Sequence, residues 1–250
     1  MDNNNKSKIL VSLFLFTIGV MTLPMLSSCG KNGNINPVEA KIEYQVLNLS
    51  YDVLPVNLYV SSGNDGSFLR QNTTPFNYPS ASGYFGLTTI DTPFYIRSAS
   101  TATVTNLLKI DSANLKRKTK YSLFIVGSRK ANTLSYIFTT DTSTRSRIGR
   151  GKVRFVNASP EVEGVEGGLD LTANDSVVVA RLRYKQVSDF IEMSAGSYNF
   201  KIRPSRKPST TLADLNRTTI EDGRLYTIYT YGLAFKTDTT AFGVGILTNR

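Results

Sequence analysis

Four carboxylates crowd one stretch of this chain: Glu161, Glu163, Glu166 and Asp170, on a loop punctuated by Gly164, Gly167 and Gly168. Spaced oxygens on a glycine-containing loop can wrap a hard cation such as calcium. The order is not that of an EF-hand, and the dense Asp/Asn alternation of common calcium loops is missing. A solvated acidic loop is therefore expected, with no metal or cofactor. Glycoside hydrolysis needs two carboxylates facing across a cleft; Asp170, Asp189 and Glu192 are the nearest set, and no motif supports them. The 250 residues contain no histidine, which removes Ser-His-Asp and Cys-His nucleophile activation and the commonest ligand of zinc, iron and copper. Neither a phosphate-cradling glycine loop nor a Gly-x-Ser-x-Gly elbow is present. These residues point away from catalysis.

The aromatic residues are a better lead. Phe76, Tyr78, Tyr84 and Phe85 lie beside Pro75 and Pro79 in a segment rich in Ser, Thr and Asn. Facing solvent, they would form a rigid amphipathic patch for a glycan or a protein. Alternating inward, they would be core.

The only cysteine, Cys29, follows Leu26-Ser27-Ser28, behind Lys6, Lys8 and an apolar run from Ile9 to Val20. A basic start, an apolar middle and small residues before a cut describe a secretory signal. With cysteine as first mature residue it resembles a bacterial lipoprotein signal, which implies a diacylated thiol and a membrane anchor. Each acyl methylene buried in a bilayer contributes about 0.8 kcal/mol, enough for two or three chains to hold a protein without a spanning helix. The alternatives are an uncleaved helix over residues 9–25, short for a span at about 17 apolar residues, and a simple secreted protein. Gly30 to Pro37 is small and polar, as a flexible tether would be. The first residues after Cys29 carry no acidic side chain, which leans towards the periplasmic face.

Composition is that of a folded chain, 40% hydrophobic and 19% charged. The net charge of +10 favours anionic neighbours such as phosphorylated headgroups and acidic glycans. Export argues against nucleic acid. Basic residues are densest at Lys116-Arg117-Lys118-Thr119-Lys120 and at Arg145, Arg147, Arg150, Lys152 and Arg154, where solvated turns and exposed strand faces are the expectation.

The elements that must position these residues read as strands. Tyr198 to Arg203 alternates apolar and polar, the period of a half-buried strand, and turn signals recur at Ser62 to Gly66, Ala195-Gly196 and Asp222-Gly223. The halves also repeat each other. Val46-Leu47-Asn48-Leu49-Ser50 matches Phe155-Val156-Asn157-Ala158-Ser159, and Val56-Asn57-Leu58 matches Leu169-Asp170-Leu171. Phe94-Tyr95-Ile96-Arg97 matches Phe200-Lys201-Ile202-Arg203. Tyr78, Tyr84, Tyr121 and Gly127 match Tyr184, Phe190, Tyr226 and Gly232. Separations drift between about 105 and 113 positions, as loop insertions would produce.

Gly151 to Pro160, Leu169-Asp170-Leu171, Ala195-Gly196-Ser197-Tyr198 and Gly223 to Thr227 resemble the domain of unknown function 4397 (DUF4397). The likeness is good over residues 150–233 and weaker over 41–127. It implies a bacterial envelope protein, often in tandem behind a lipoprotein signal, and assigns no activity. The residues that carry the likeness have structural roles available. Asn157 and Ser159 can bond backbone where the strand ends, Pro160 fixes its exit, and the hydroxyls of Tyr121 and Tyr226 can reach a backbone carbonyl.

The chain is thus expected to be all-β: two tandem immunoglobulin-like antiparallel β-sandwiches at 40–141 and 150–250, joined by a linker at 142–149. A cleaved signal at 1–28 and a tether at 29–39 precede them. Its expected role is that of a non-catalytic lipoprotein of a Gram-negative outer membrane, on the periplasmic or surface face. It would present a binding or scaffolding surface to envelope proteins or glycans, in adhesion or as an accessory subunit. Alternatives are a glycan-binding module of a polysaccharide-uptake system and a hydrolase with an unusual site.

Overall fold

The computed structural model describes residues 42–249, apart from 63–66, 88–92, 101–104, 112–114, 162 and 164. The signal, the tether and Cys29 lie outside the described residues.

Every element among them is a strand. The first repeat holds β1 (Ile42–Asn48), β2 (Val56–Ser62), β3 (Ser67–Arg70), β4 (Ser80–Ala81), β5 (Phe85–Leu87), β6 (Phe94–Ser98), β7 (Asn106–Ile110), β8 (Lys120–Val126) and β9 (Ser135–Thr140). The second holds β10 (Arg150–Val156), β11 (Leu169–Ala173), β12 (Ser176–Leu182), β13 (Ile191–Ser194), β14 (Gly196–Pro204), β15 (Ala213–Ile220), β16 (Leu225–Tyr231) and β17 (Gly243–Thr248). In the first repeat one sheet runs β4-β1-β8-β9, with β5 also on β1, and the other runs β3-β2-β6-β7. The second repeat gives β13-β10-β16-β17 and β12-β11-β14-β15, the same order strand for strand. The duplication in the sequence is a duplication of topology. One detail departs from the all-antiparallel expectation: β1 with β8, and β10 with β16, pair in parallel. Each repeat's first strand lies beside a late strand of the same direction, with the rest of the sandwich as crossover.

The outer sheets follow simple alternation. In β6, Phe94, Ile96 and Ser98 are buried while Tyr95 and Arg97 are half-buried, because only one face meets a core. The inner sheets are different: β1, β8, β10 and β16 are buried at nearly every position. Val46, Leu123 and Ile125 face the core of the first sandwich, with Tyr44, Leu58, Phe94 and Ile96. Their neighbours Leu47, Phe124 and Val126 face the other way, into a third core shared with Val156, Ala158 and Tyr229 of the second repeat. Phe155 and Ile228 fill the second sandwich. Each fully buried side chain of this size contributes about 1.5–3 kcal/mol, so the junction is as much a core as either sandwich.

A corner motif recurs in both copies. Asn48 donates from Nδ2 to the Phe76 carbonyl (3.2 Å) and Asn157 to that of Leu182 (2.8 Å). Two residues on, the Ser50 hydroxyl bonds the Gly127 carbonyl and the Ser159 hydroxyl that of Gly232, each at 2.7 Å. Gly127 and Gly232 have φ of +89° and +70°, and a Cβ on either would overlap a backbone carbonyl, of Thr133 and Ala241 respectively. The Tyr121 and Tyr226 hydroxyls do not reach carbonyls. They accept from the Lys116 and Glu221 amides, at 2.7 and 3.2 Å, because the chain five residues back turns its N–H groups inward.

Candidate functional site

The four aromatic residues singled out in the sequence divide between two places. Tyr78 and Tyr84 belong to the junction. The Tyr78 ring meets Tyr231 of the second repeat edge-on, with centroids 6.1 Å apart, and burial, then the neighbouring Tyr231, raises its phenol to about 12. Tyr84 donates to Asp141 Oδ2 (2.6 Å) and accepts from Asn249 Nδ2 (2.8 Å). Burial, then the Asp141 charge, pushes that phenol up as well. Both residues couple the repeats.

Asp141 sits at the centre of the polar half of this junction. It pairs with Arg154 and accepts from Ser122, and both ionic side chains are almost completely buried, at 0% and 4% exposure. Arg154 also donates to Thr227 Oγ1 (2.8 Å), Thr139 Oγ1 (2.9 Å) and the Thr140 carbonyl (2.8 Å). Lys152, likewise buried, holds the linker through Thr144 Oγ1 (2.9 Å) and the Thr144 carbonyl (3.0 Å). The expectation of a solvated basic cluster is therefore corrected for Lys152 and Arg154. They lie on β10, whose second face is covered by the first repeat.

Phe76 and Phe85 take the other place. Their rings lie 6.1 Å apart and 23° from parallel. Phe76 is 6% exposed and part of the first core; Phe85 is half-buried. Both line a cleft of about 580 Å³ walled by Gln71 to Asn77 and Ser80 to Ser82. Backbone discontinuity opens it. In the second repeat, β12 stays on β11 through two register shifts as far as Leu182, which pairs with Leu169. In the first, β3 ends at Arg70, the Gln71 amide still bonds the Leu58 carbonyl (2.9 Å), and backbone contact with β2 resumes at the Val56–Phe76 bridge. Between them Asn72 holds the detour in shape, accepting from the Leu58 amide and donating to Asn57 Oδ1 and the Thr74 carbonyl, all at 2.8 Å. Pro75 has no N–H to give a ladder. The signal was readable by setting Val178-Val179-Ala180-Arg181 against Asn72-Thr73-Thr74-Pro75, at the separation that matches Leu182 with Phe76: Asn72 and Pro75, both poor in strands, stand only in the first copy.

The outer sheets differ too. In the first repeat Arg97 lies over the Phe68 ring (4.3 Å) and the Tyr59 ring (5.1 Å), and Phe68 meets Tyr95 edge-on at 4.8 Å. In the second, the matching Lys201 and Arg203 both reach Asp175, at 2.8 and 2.5 Å.

Two of the carboxylates weighed for catalysis or metal binding have separate partners. Glu192 is bonded by Arg147 (2.8 Å), which lowers its pKa. Asp170 accepts from the Arg181 amide (2.7 Å) and the Ser205 hydroxyl (2.6 Å). Glu161, Glu163 and Glu166 are exposed. Among the described residues no three His, Cys, Asp or Glu side chains gather where they would hold a metal.

Fold and junction together define a tandem β-sandwich protein whose two copies share a buried face. The chain belongs to the family described as "Domain of unknown function (DUF4397)", whose model matches residues 43–167 and 166–244. No curated protein matches it. Among solved structures it is similar to a "putative cell adhesion protein" from Bacteroides eggerthii DSM 20697, at 10% identity, covering 83% of this chain and 95% of that one, with a TM-score of 0.23.

Proposed function

We propose that this is a non-catalytic, lipid-anchored envelope protein in which the first repeat carries the ligand and the second is its mount. One observation carries the reading: the same fold occurs twice, and the edge is broken open into a lined cleft in the first copy while β12 runs on in the second. Acylation of Cys29 in an outer membrane is part of the proposal, supported by the signal-like residues before it. The buried junction supports the mounting role, since a binding element works best on a body that does not flex.

The test uses a photo-crosslinking amino acid in intact cells, at Asn77 on the cleft or at the matching exposed position Arg183. Adducts from 77 and none from 183 are expected. Adducts from 183 alone, or from neither, would overturn the assignment. Labelled palmitate entering the wild type but not Cys29→Ala checks the anchor separately.

A further inference from the structure

The geometry points to a neutral saccharide as the occupant of this cleft; the inference rests on the cleft being the ligand site. The chain carries a net charge of +10, yet its wall is built from Gln71, Asn72, Thr73, Thr74, Pro75, Asn77, Ser80, Ala81 and Ser82 over Phe76 and Phe85. Not one of these is charged. A site for an acidic ligand on so basic a protein would place a cation on its wall, because an unpaired anion cannot be desolvated cheaply. Amides and hydroxyls beside phenyl rings suit a ligand that is polar at its edges and apolar on its faces, as a pyranose is. The half-buried Phe85 ring, backed by the buried Phe76, meets the C–H surfaces, and the exposed Thr73, Thr74 and Asn77 offer donors and acceptors at the rim.

The wall is formed in advance. Asn72 has its bonds to the backbone and to Asn57. The Ser80 hydroxyl is held by the Asn77 carbonyl at 2.6 Å. Ser82 accepts from the Val46 amide (3.0 Å) and donates to the Gly83 carbonyl (2.7 Å). At Asn72, Ser80 and Ser82 little side-chain freedom remains to be lost on binding. A volume of about 580 Å³ falls within the ~300–1,000 Å³ of small-molecule sites and has room for a short oligosaccharide.

The full chain in lipid nanodiscs is applied to an array of neutral β-glucan, mannan and galactan oligosaccharides, beside polygalacturonate and heparin. Binding to at least one neutral class is expected. Asn77→Arg and Thr74→Arg, at exposed positions the fold does not depend on, should weaken it by at least about tenfold, while Arg97→Ala on the outer sheet leaves it unchanged. Binding confined to the acidic polymers and lost in Arg97→Ala would overturn the inference and move the ligand to the outer face. Silence on every glycan, with residue-77 crosslinks to a polypeptide, would overturn the saccharide and keep the cleft. Silence on the array and no crosslinks would sink both.

Discussion

The two repeats share strand order, corner motif and junction geometry, and differ at a few positions where one copy has been altered. At the junction the first copy presents Gln45 bonded to Ser122 (2.6 Å), and the second presents Arg154 bonded to Thr227. At the matching strand ends the first has Asp141, whose amide bonds the Lys120 carbonyl, and the second has Asn249, whose amide bonds that of Leu225. Each copy is neutral where the other is charged, Gln45 against Arg154 and Asn249 against Asp141, and the cation and anion meet across the junction. At the outer edge, the first copy leaves strand pairing over Asn72 to Pro75 and has a cleft there. The copies share a frame; their differences at the contact supply its ion pair, and their differences at the rim leave a candidate site in one of them.

The sharpest way to break this comparison is at Asp141. Asp141→Ala leaves the Arg154 guanidinium buried without its counter-ion and should cost about 3–5 kcal/mol, read by denaturant unfolding. The double variant Asp141→Asn with Arg154→Gln, which gives each copy the other's neutral residue, should recover much of that. A double-mutant cycle should show a coupling of about 0.5–3 kcal/mol. A coupling near zero would mean that the ion pair does not join the copies.

Next come the paired glycines. Gly127→Ala and Gly232→Ala each force a Cβ onto a carbonyl at positive φ and should each cost at least about 2 kcal/mol, with similar losses in melting temperature. A large effect in one copy alone would show that the corners are not equivalent. Smaller again, Ser50→Ala and Ser159→Ala each strand a buried carbonyl and should cost about 1–3 kcal/mol.

The smallest effect is the pH dependence contributed by Asp52, at the corner of the first repeat. Burial alone would raise the Asp52 carboxyl. The Ser128 hydroxyl (2.5 Å), the Lys130 and Arg129 amides and the Ser50 hydroxyl outweigh it, and hold the pKa below the ordinary 3.8. A folded pKa below the unfolded one contributes stability that is present above about pH 4 and is lost as pH falls through the lowered value. At the corresponding position the second copy has the exposed Glu161. Melting curves between neutral and acid pH should therefore show a shallower acid limb in Asp52→Asn. An unchanged limb would remove Asp52 from the account.

Much of the frame was legible beforehand. The period-2 alternation of Tyr198 to Arg203 and the recurrence of Asn-x-Ser before the corner follow from residue types acting locally. The junction was not legible, because Arg154 and Lys152 look like surface cations until a second sheet covers β10. Their partners Asp141 and Thr144 lie in or beside the linker and carry no motif. The cleft was half legible: the sequence placed Phe76 and Phe85 in a suggestive segment, but grouped with them Tyr78 and Tyr84, which the junction takes. Alternation separates Tyr84 from its neighbour Phe85, whereas Tyr78, two positions from Phe76, parts from it because the chain turns at Tyr78-Pro79.

The most direct test of a first copy that binds and a second that mounts is hydrogen exchange on the full chain in nanodiscs, with and without the neutral oligosaccharides of the array. The account predicts slowed exchange over residues 71–82 and none over 183–190. Slowing in the second copy alone, or in neither, would contradict it.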